Sequence, residues 1–275
     1  MITILRKEKD NNTWDEIDDS ILKIAKKDWK KAVIARYNSE YLRDYVINEK
    51  KRGKLSEFLL EKFPWMNKKT KVLDVGSGQG ALTTALARKF DVTGVDTSLS
   101  TLKFVEYRTK QEGVKLKLCQ IPPISEPIPL KKKEYAFVVL NGVLEWTAVG
   151  TQGKVLLTHK NVLKNLKTLI KKNGFLVISI ENRVALDWMK GKKSHAPIKF
   201  IDLMPRFFAN IISRIKRNKD FREHIYTKRG YNKLLNEAGF RNIEFYAAIP
   251  TYQKPERIIK TGNPFVNSFV ILAQK

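Results

Sequence analysis

The chain has little cysteine and no long apolar run. Its one cysteine, Cys119, has no partner in the 275 residues for an internal disulfide and no second thiol for a metal site, which fits a reducing compartment. No apolar stretch approaches the roughly 20 residues needed to cross a bilayer, and residues 1–10 lack the apolar core of a signal peptide. We therefore expect a cytoplasmic protein without a metal cofactor, at most peripheral to the inner face of the membrane.

Acidic residues are also scarce relative to basic ones. The chain has 28 Asp and Glu against 53 Lys and Arg, a formal net charge of +25. Such a charge favours anionic partners, which include nucleic acid, phosphorylated compounds and anionic lipid. The lysines are spread along the chain, so the charge alone identifies no partner.

The stretch 71–81, KVLDVGSGQGA, carries the strongest local signal. An apolar, partly β-branched run is followed at once by Gly76, Gly78 and Gly80, which predicts a buried strand that turns sharply into a helix. Glycines allow positive φ angles and let a ligand approach the backbone, while the first amides of the helix point at that ligand. We expect a nucleotide-type binding loop here.

A second apolar strand, 92–95, ends at Asp96, about 20 residues after the first glycine, where Rossmann-like units place a ribose-binding carboxylate. Ala81 satisfies the last position of the dinucleotide pattern G-x-G-x-x-G/A, so the glycines alone leave NAD open. Asp74, directly ahead of the loop, suits a cationic ligand better than a pyrophosphate.

This arrangement resembles the class I S-adenosylmethionine-dependent methyltransferases, whose first motif is an apolar strand with an acid just before G-x-G-x-G. The resemblance implies S-adenosylmethionine as the cofactor, with Asp74 and the glycine loop around its methionine portion and Asp96 on its ribose hydroxyls. Gln120, after the third strand, is the candidate for the adenine. The cofactor-binding residues so implied are Asp74, Gly76, Ser77, Gly78, Gly80, Asp96, Gln120 and Asn141.

Strands and helices alternate from residue 71 onward, as in a parallel sheet with right-handed crossovers. With the resemblance, this predicts an α/β fold: a Rossmann-like class I methyltransferase sheet, mostly parallel with the last strand antiparallel. We expect an N-terminal helical extension at 1–67, the methyltransferase domain at 68–275, and within it a helical insertion or lid at 184–227, after the fifth strand.

Acidic side chains follow two predicted central strands. Glu145 comes after strand 135–140, within NGVLEW, and Glu181 comes after strand 175–180, within IENR. Ligands bind at this edge of open α/β sheets. Both sequences resemble a subgroup of methyltransferases from surface-polysaccharide gene clusters.

That subgroup follows IENR with an acid and a histidine, but here Ser194 replaces the acid before His195. Glu145, Glu181 and His195 are the candidate catalytic bases. Glu145 as a first-turn helix acid and His195 as a solvated loop residue stay open as alternatives. Upstream, Arg36, Tyr37 and Tyr41 are candidates to cover the cofactor, but we favour their assignment to packing and a solvated helix face.

The insertion contains an apolar stripe at helical spacing with basic neighbours. The stripe is Ile201, Met204, Phe208, Ile211, Ile212 and Ile215, and the basic residues are Arg206, Arg214, Lys216 and Arg217. The pattern fits either a lid packed on the site, which we favour, or a basic helix at an anionic membrane surface.

We expect an enzyme that transfers a methyl group to a glycan hydroxyl or a related small polar acceptor. An RNA methyltransferase that uses the basic surface is the main alternative, although no N-P-P-Y follows the fourth strand and no Pro-Cys nucleophile occurs. A non-catalytic cofactor-binding scaffold is the other. Nothing in the sequence indicates an oligomeric state.

Overall fold

The computed structural model describes residues 1–5, 16–192 and 198–275. The strands are β1 Ile2–Ile4, β2 Lys71–Val75, β3 Asp91–Asp96, β4 Lys117–Gln120, β5 Tyr135–Asn141, β6 Ile170–Glu181, β7 Arg241–Ile249, β8 Arg257–Lys260 and β9 Ser268–Gln274. The helices are α1 Asp19–Lys27, α2 Trp29–Arg36, α3 Glu40–Ile47, α4 Glu49–Arg52, α5 Lys54–Lys62, α6 Ala81–Ala87, α7 Leu99–Gln111, α8 Val155–Leu169, α9 Leu186–Met189, α10 Arg206–Arg217 and α11 Lys228–Glu237, with a 3₁₀ turn at Leu144–Trp146.

The described strands form one sheet in the order β1-β4-β3-β2-β5-β6-β9-β7-β8. The strands from β1 to β6 pair in parallel, whereas β9 lies antiparallel between β6 and β7. This confirms the predicted mostly parallel α/β sheet with its antiparallel last strand. The short edge strands β1 and β8 were not expected from the sequence, because runs of three or four residues carry little periodic signal.

Each central strand is buried on both faces, which explains its unbroken apolar sequence. Alternate residues of β5 enter two different clusters: Val138 and Leu140 pack with α8 and α11, while Phe137 and Val139 pack with α5 and α6. Helices therefore cover both faces, and the polar residues that follow the strands meet at one edge. No helix in the described ranges is both long and apolar enough to cross a bilayer.

The N-terminal helices are fixed to the sheet by α7. Arg108 of α7 is fully buried, and its guanidinium lies 4.0 Å from the ring centroid of Trp29. It also donates to the carbonyls of Val46 at 2.9 Å and of Gln79 at 3.3 Å. The Arg108 side chain thereby joins the N-terminal extension to the glycine loop. The boundary at residue 67 stays a prediction.

The apolar stripe of the insertion is divided in the structure. Ile201 is buried, but Phe208, Ile211 and Ile215 are 56%, 39% and 78% exposed. The expected lid, with the whole stripe buried against the sheet edge, is therefore wrong. The reason is that α10 turns its small and polar residues inward, as described below.

Candidate active site

A cavity of about 660 Å³ opens where β2, β3 and β5 end. Its wall includes Gly76 and Gly78 of the glycine loop, Asp96 at the end of β3, and Gly142 and Trp146 after β5. The topology explains this position, because the carboxyl ends of parallel strands meet at one edge of the sheet. We call it the cofactor cavity.

The three loop glycines have positive φ angles of 78°, 50° and 79° at Gly76, Gly78 and Gly80. They differ in what a side chain would meet. A Cβ on Gly76 would lie 2.6 Å from Val143 and one on Gly80 would lie 3.0 Å from Val105, whereas a Cβ on Gly78 has nothing within 4 Å. Gly76 and Gly80 permit close packing, and Gly78 keeps space open in the cavity wall.

Asp96 fixes the loop and also lines the cavity. Its carboxylate accepts hydrogen bonds from the backbone amides of Gly78 and Ser98, both at 3.0 Å. Two other predicted cofactor residues, Ser77 and Gln120, are buried and do not line the cavity. The Ser77 hydroxyl donates to the Val95 carbonyl at 3.2 Å, and the Gln120 side chain donates to the Thr97 carbonyl at 3.0 Å. Cofactor contacts by these residues stay predictions.

Asp74 lies below the loop rather than in the cavity wall. It is only 2% exposed, and its carboxylate accepts a hydrogen bond from the Thr83 hydroxyl at 2.6 Å. Burial raises the pKa of Asp74 to about 6, although the Thr83 hydrogen bond opposes the shift. Asp74 thereby holds the start of α6 beneath the glycine loop, and its contact with the cofactor stays a prediction.

The charge of the cavity wall distinguishes between the two cofactors that the glycines leave open. Asp96 and Glu126 are its acids, and none of the described wall residues is a lysine or arginine, although the chain carries +25. A cationic sulfonium fits such a wall, whereas the two negative charges of a pyrophosphate would find no cation there. The residues therefore fit S-adenosylmethionine better than NAD.

A second cavity, of about 380 Å³, opens where β6 ends and β9 begins. Its wall includes Tyr41 of α3, Glu181 after β6, Asp187 and Trp188 of the insertion, and Tyr252. We call it the acceptor cavity.

The two cavities adjoin at one contact. A Cβ on Gly142, a wall residue of the cofactor cavity, would lie 2.5 Å from the Tyr252 hydroxyl. Tyr252 is itself buried and lines the acceptor cavity. Because residue 142 has no side chain, the Tyr252 ring can lie directly between the cofactor cavity and the acceptor cavity.

Two predicted bases, Glu145 and Glu181, occupy different environments here. Glu181 is 8% exposed and lines the acceptor cavity, whereas Glu145 is fully buried in the 3₁₀ turn and lines neither cavity. Burial raises the pKa of Glu145 well above its usual range, and the negative charge of Glu181 raises it further. The environment of Glu145 therefore favours its protonated form.

Asn141 contacts an arginine that sequence reasoning missed. With its amide oxygen directed at Arg52, Asn141 accepts a hydrogen bond at 2.7 Å and donates to the Ser179 hydroxyl at 3.1 Å. Arg52 is 8% exposed, donates to the Gln253 carbonyl at 3.1 Å and lies 4.5 Å from the ring centroid of Tyr45. Its sequence context, EKKR, is typical of a solvated helix face and gives no signal for this burial.

Two tyrosines assigned to packing bond instead to the glycine loop and to the acceptor cavity. The Tyr37 hydroxyl accepts a hydrogen bond from the Gln79 side chain in the glycine loop. The Tyr41 hydroxyl donates to the Gln253 side chain at 2.5 Å, and both of these residues line the acceptor cavity. The N-terminal helices thus complete the site.

Only the glutamate of IENR reaches a cavity. Asn182 donates to the carbonyls of Pro264 at 2.7 Å and Val266 at 2.8 Å, and so braces a loop. Arg183 donates to two carbonyls of the insertion, at Asp202 and Met204. His195, the third predicted base, lies outside the described residues.

The fold is shared with solved methyltransferases. A SAM-dependent methyltransferase from Methanosarcina mazei superposes with a TM-score of 0.55 at 17% identity, over 78% of this chain and 96% of that chain. One from Thermotoga maritima superposes with a TM-score of 0.52 at 16% identity, over 88% of this chain and 98% of that chain. No curated protein matches the sequence.

A sequence family supplies the assignment that fold similarity alone does not. The profile of the methyltransferase domain family matches residues 47–244, which include the glycine loop, Asp96, Glu145 and Glu181. Together with the acidic cofactor cavity, this match identifies the methyl donor. The chain belongs to the methyltransferase domain family and is an enzyme whose cofactor is S-adenosylmethionine.

Proposed function

We propose that the enzyme methylates a hydroxyl of a glycan or a related small polar acceptor, with Glu181 as the general base. The observation that carries the proposal is the Glu181 carboxylate in the wall of the acceptor cavity. The buried Glu145 supports the proposal, because burial favours its protonated state and leaves Glu181 as the candidate base. Tyr252 stands beside them, at the contact between the two cavities.

The chemistry divides between the cofactor and the chain. The bound cofactor supplies a methyl group already activated by its sulfonium. The chain has to align the acceptor oxygen behind that methyl, exclude water and remove one proton. A sugar hydroxyl is not ionised at neutral pH, so its attack needs a base such as Glu181. Tyr41 and Trp188 give the acceptor cavity aromatic sides suited to a small ring.

The acceptor cavity suits RNA poorly. Its acids are Glu181 and Asp187, and its basic wall residue Lys192 already pairs with Asp187 at 2.7 Å. A phosphate backbone would therefore meet a wall with excess negative charge. If the glycan is carried on a lipid, the enzyme works peripherally at the inner face of the membrane.

The test is product identification with the purified enzyme. Methyl-labelled S-adenosylmethionine is incubated with separate pools of neutral glycans, small amines and RNA, and the methylated atom is located by mass spectrometry. We expect label on oxygen in the glycan pool. Label only on nitrogen, or only in RNA, would overturn the proposal and leave the cofactor assignment intact.

A further inference from the structure

Helix α10 presents four of its apolar side chains to solvent, whereas Ile212 packs on the small core of the insertion. Phe207, Phe208, Ile211 and Ile215 are 71%, 56%, 39% and 78% exposed, whereas Ala209 and Ser213 are the buried residues of the helix. A surface helix of a globular protein usually does the reverse, with its apolar stripe turned to the core. We call these four exposed residues the α10 face.

The helix is held in this orientation by polar contacts on its inner side. The Asn210 side chain accepts a hydrogen bond from the Phe221 amide at 3.1 Å, and the Ser213 hydroxyl donates to the Lys219 carbonyl at 2.8 Å. Arg217 pairs with the buried Glu223. Because these contacts face the protein, the exposure of the apolar side chains is built into the insertion.

The surroundings of the α10 face are basic. The insertion, residues 184–227, contains ten Lys and Arg against four Asp and Glu, and α10 itself contains no acid. Arg214 and Lys216 are exposed on the helix, and Lys219 is exposed just after it. Arg214 pairs with Asp220, so part of this charge is compensated.

We propose that the α10 face docks on an anionic lipid bilayer, with its phenylalanines and isoleucines among the acyl chains and the basic residues at the headgroups. Apolar side chains bordered by lysine and arginine are what membrane-surface helices present. Each basic residue near an anionic surface adds to the attraction, which salt then weakens.

Other occupants fit less well. A stable protein interface takes about 20–30 residues from each side, far more than these four, and a second copy would bring its own basic border against this one. Single-stranded nucleic acid binds by stacking bases on aromatic rings, which Ile211 and Ile215 do not offer.

The same insertion also forms part of the active site. Asp187, Trp188 and Lys192 line the acceptor cavity, and Arg222 donates to the Ala148 carbonyl at 2.9 Å and the Thr151 hydroxyl at 3.2 Å, beside the cofactor cavity. Docking by α10 would therefore hold both cavities at the lipid surface, where a lipid-borne acceptor is presented. This consequence rests on the proposed function, whereas docking itself does not.

The test uses the full chain and vesicles of phosphatidylcholine, with or without phosphatidylglycerol, in a sedimentation assay at low and high salt. The variant Phe207→Ser/Phe208→Ser/Ile215→Ser removes most of the α10 face. The matched control is Leu156→Ser/Leu157→Ser on α8, where the side chains are 51% and 56% exposed. We expect binding only with phosphatidylglycerol, a loss of about tenfold or more in the α10 variant, and no loss in the control.

Circular dichroism and cofactor calorimetry on each variant show whether the fold is intact, independently of any acceptor. No binding of the wild type to anionic vesicles at low salt would overturn the proposal. Equal binding by the α10 variant would also overturn it, because the basic surface alone would then suffice. A dimer that the α10 variant abolishes, without vesicle binding, would show a second copy as the occupant instead.

Discussion

The two cavities at the sheet edge are built in different ways. The cofactor cavity takes part of its wall from the backbone of one loop, at Gly76 and Gly78, and from Asp96 at the end of the next strand. The acceptor cavity takes side chains from distant segments, so that its Tyr41 and Gln253 bond across 212 residues of sequence. Glycine backbone forms part of the first cavity, whereas side chains from distant segments meet in the second, and this predicts that substitutions will act on them differently.

The largest expected effect separates the two buried glutamates. Glu181→Gln removes the carboxylate from the acceptor cavity, so we expect the turnover rate to fall by about 10²–10⁴-fold, the usual contribution of a positioned base. Glu145→Gln imitates the protonated form that burial favours at Glu145 and should cost less than about tenfold. Glu237→Gln, at an exposed position on α11, is the control for the change from carboxylate to amide. The measurement is single-turnover methyl transfer.

Cofactor affinity should stay nearly constant in all three variants, since neither buried glutamate lines the cofactor cavity. Equal losses in Glu145→Gln and Glu181→Gln would show that the pair acts as one unit. An unchanged rate in Glu181→Gln would show that Glu181 is not the base, and His195 would be the remaining candidate.

The same contrast explains what the sequence predicted. The glycine loop, the alternation of strands and helices and the position of Asp96 follow from local patterns, since glycine spacing and apolar runs act on the backbone within a few residues. Arg52 and Tyr41 reach the site only because α7 and the loop hold the N-terminal helices against it. No local periodicity encodes such contacts.

Asp74 and the α10 face show a second limit of sequence reasoning. An acid before a glycine loop predicts a ligand contact, and no local pattern shows that the adjacent strands also bury this acid against Thr83. The α10 stripe has the period of an amphipathic helix, but periodicity gives no direction for the apolar side. That direction depends on Asn210, Ser213 and their partners, which are tertiary contacts.

The next prediction concerns the backbone of the cofactor cavity. Gly78→Ala adds a methyl group in open space of the cavity wall at a φ of 50°, and we expect cofactor affinity to fall by about 1–3 kcal/mol, the usual cost of crowding a filled site. Gly113→Ala is the matched control, because its φ is 64° and it also has nothing within 4 Å, but it lies at the exposed end of α7.

Both alanines share the strain of the left-handed region, so thermal unfolding should reveal similar losses of stability. Calorimetry with S-adenosylhomocysteine should then show a loss only in Gly78→Ala. Equal affinities in the two variants would mean that the cofactor does not approach Gly78.

Burial of Asp74 below the loop predicts a pH-dependent stability. Its folded pKa is about 6 against 3.8 for the ordinary carboxyl, so the native state binds this proton more tightly and loses stability as pH rises between those values. Asp74→Asn removes the penalty, and the Thr83 hydroxyl can still donate to the amide oxygen. We expect a gain of about 1–3 kcal/mol in the free energy of unfolding at pH 8.

At pH 3 the gain should vanish, since the wild-type carboxyl is then protonated in both states. Urea unfolding at the two pH values measures the difference. A less stable Asp74→Asn protein at pH 8 would show that the ionised carboxylate is needed by the folded loop.

The smallest effects concern two tyrosines that lie close in sequence and bond to different parts of the site, the glycine loop and the acceptor cavity. Tyr37 bonds to Gln79 of the glycine loop and Tyr41 bonds to Gln253 of the acceptor cavity. Each phenylalanine substitution removes one hydroxyl and keeps the ring, so each should cost about 0.5–1.5 kcal/mol. Tyr37→Phe should weaken cofactor binding and leave the KM for the acceptor unchanged, whereas Tyr41→Phe should do the opposite. The two variants serve as controls for each other, and steady-state kinetics with calorimetry reads both constants. If both tyrosines changed both constants, the N-terminal helices would couple the two cavities energetically, even though different segments of the chain build them.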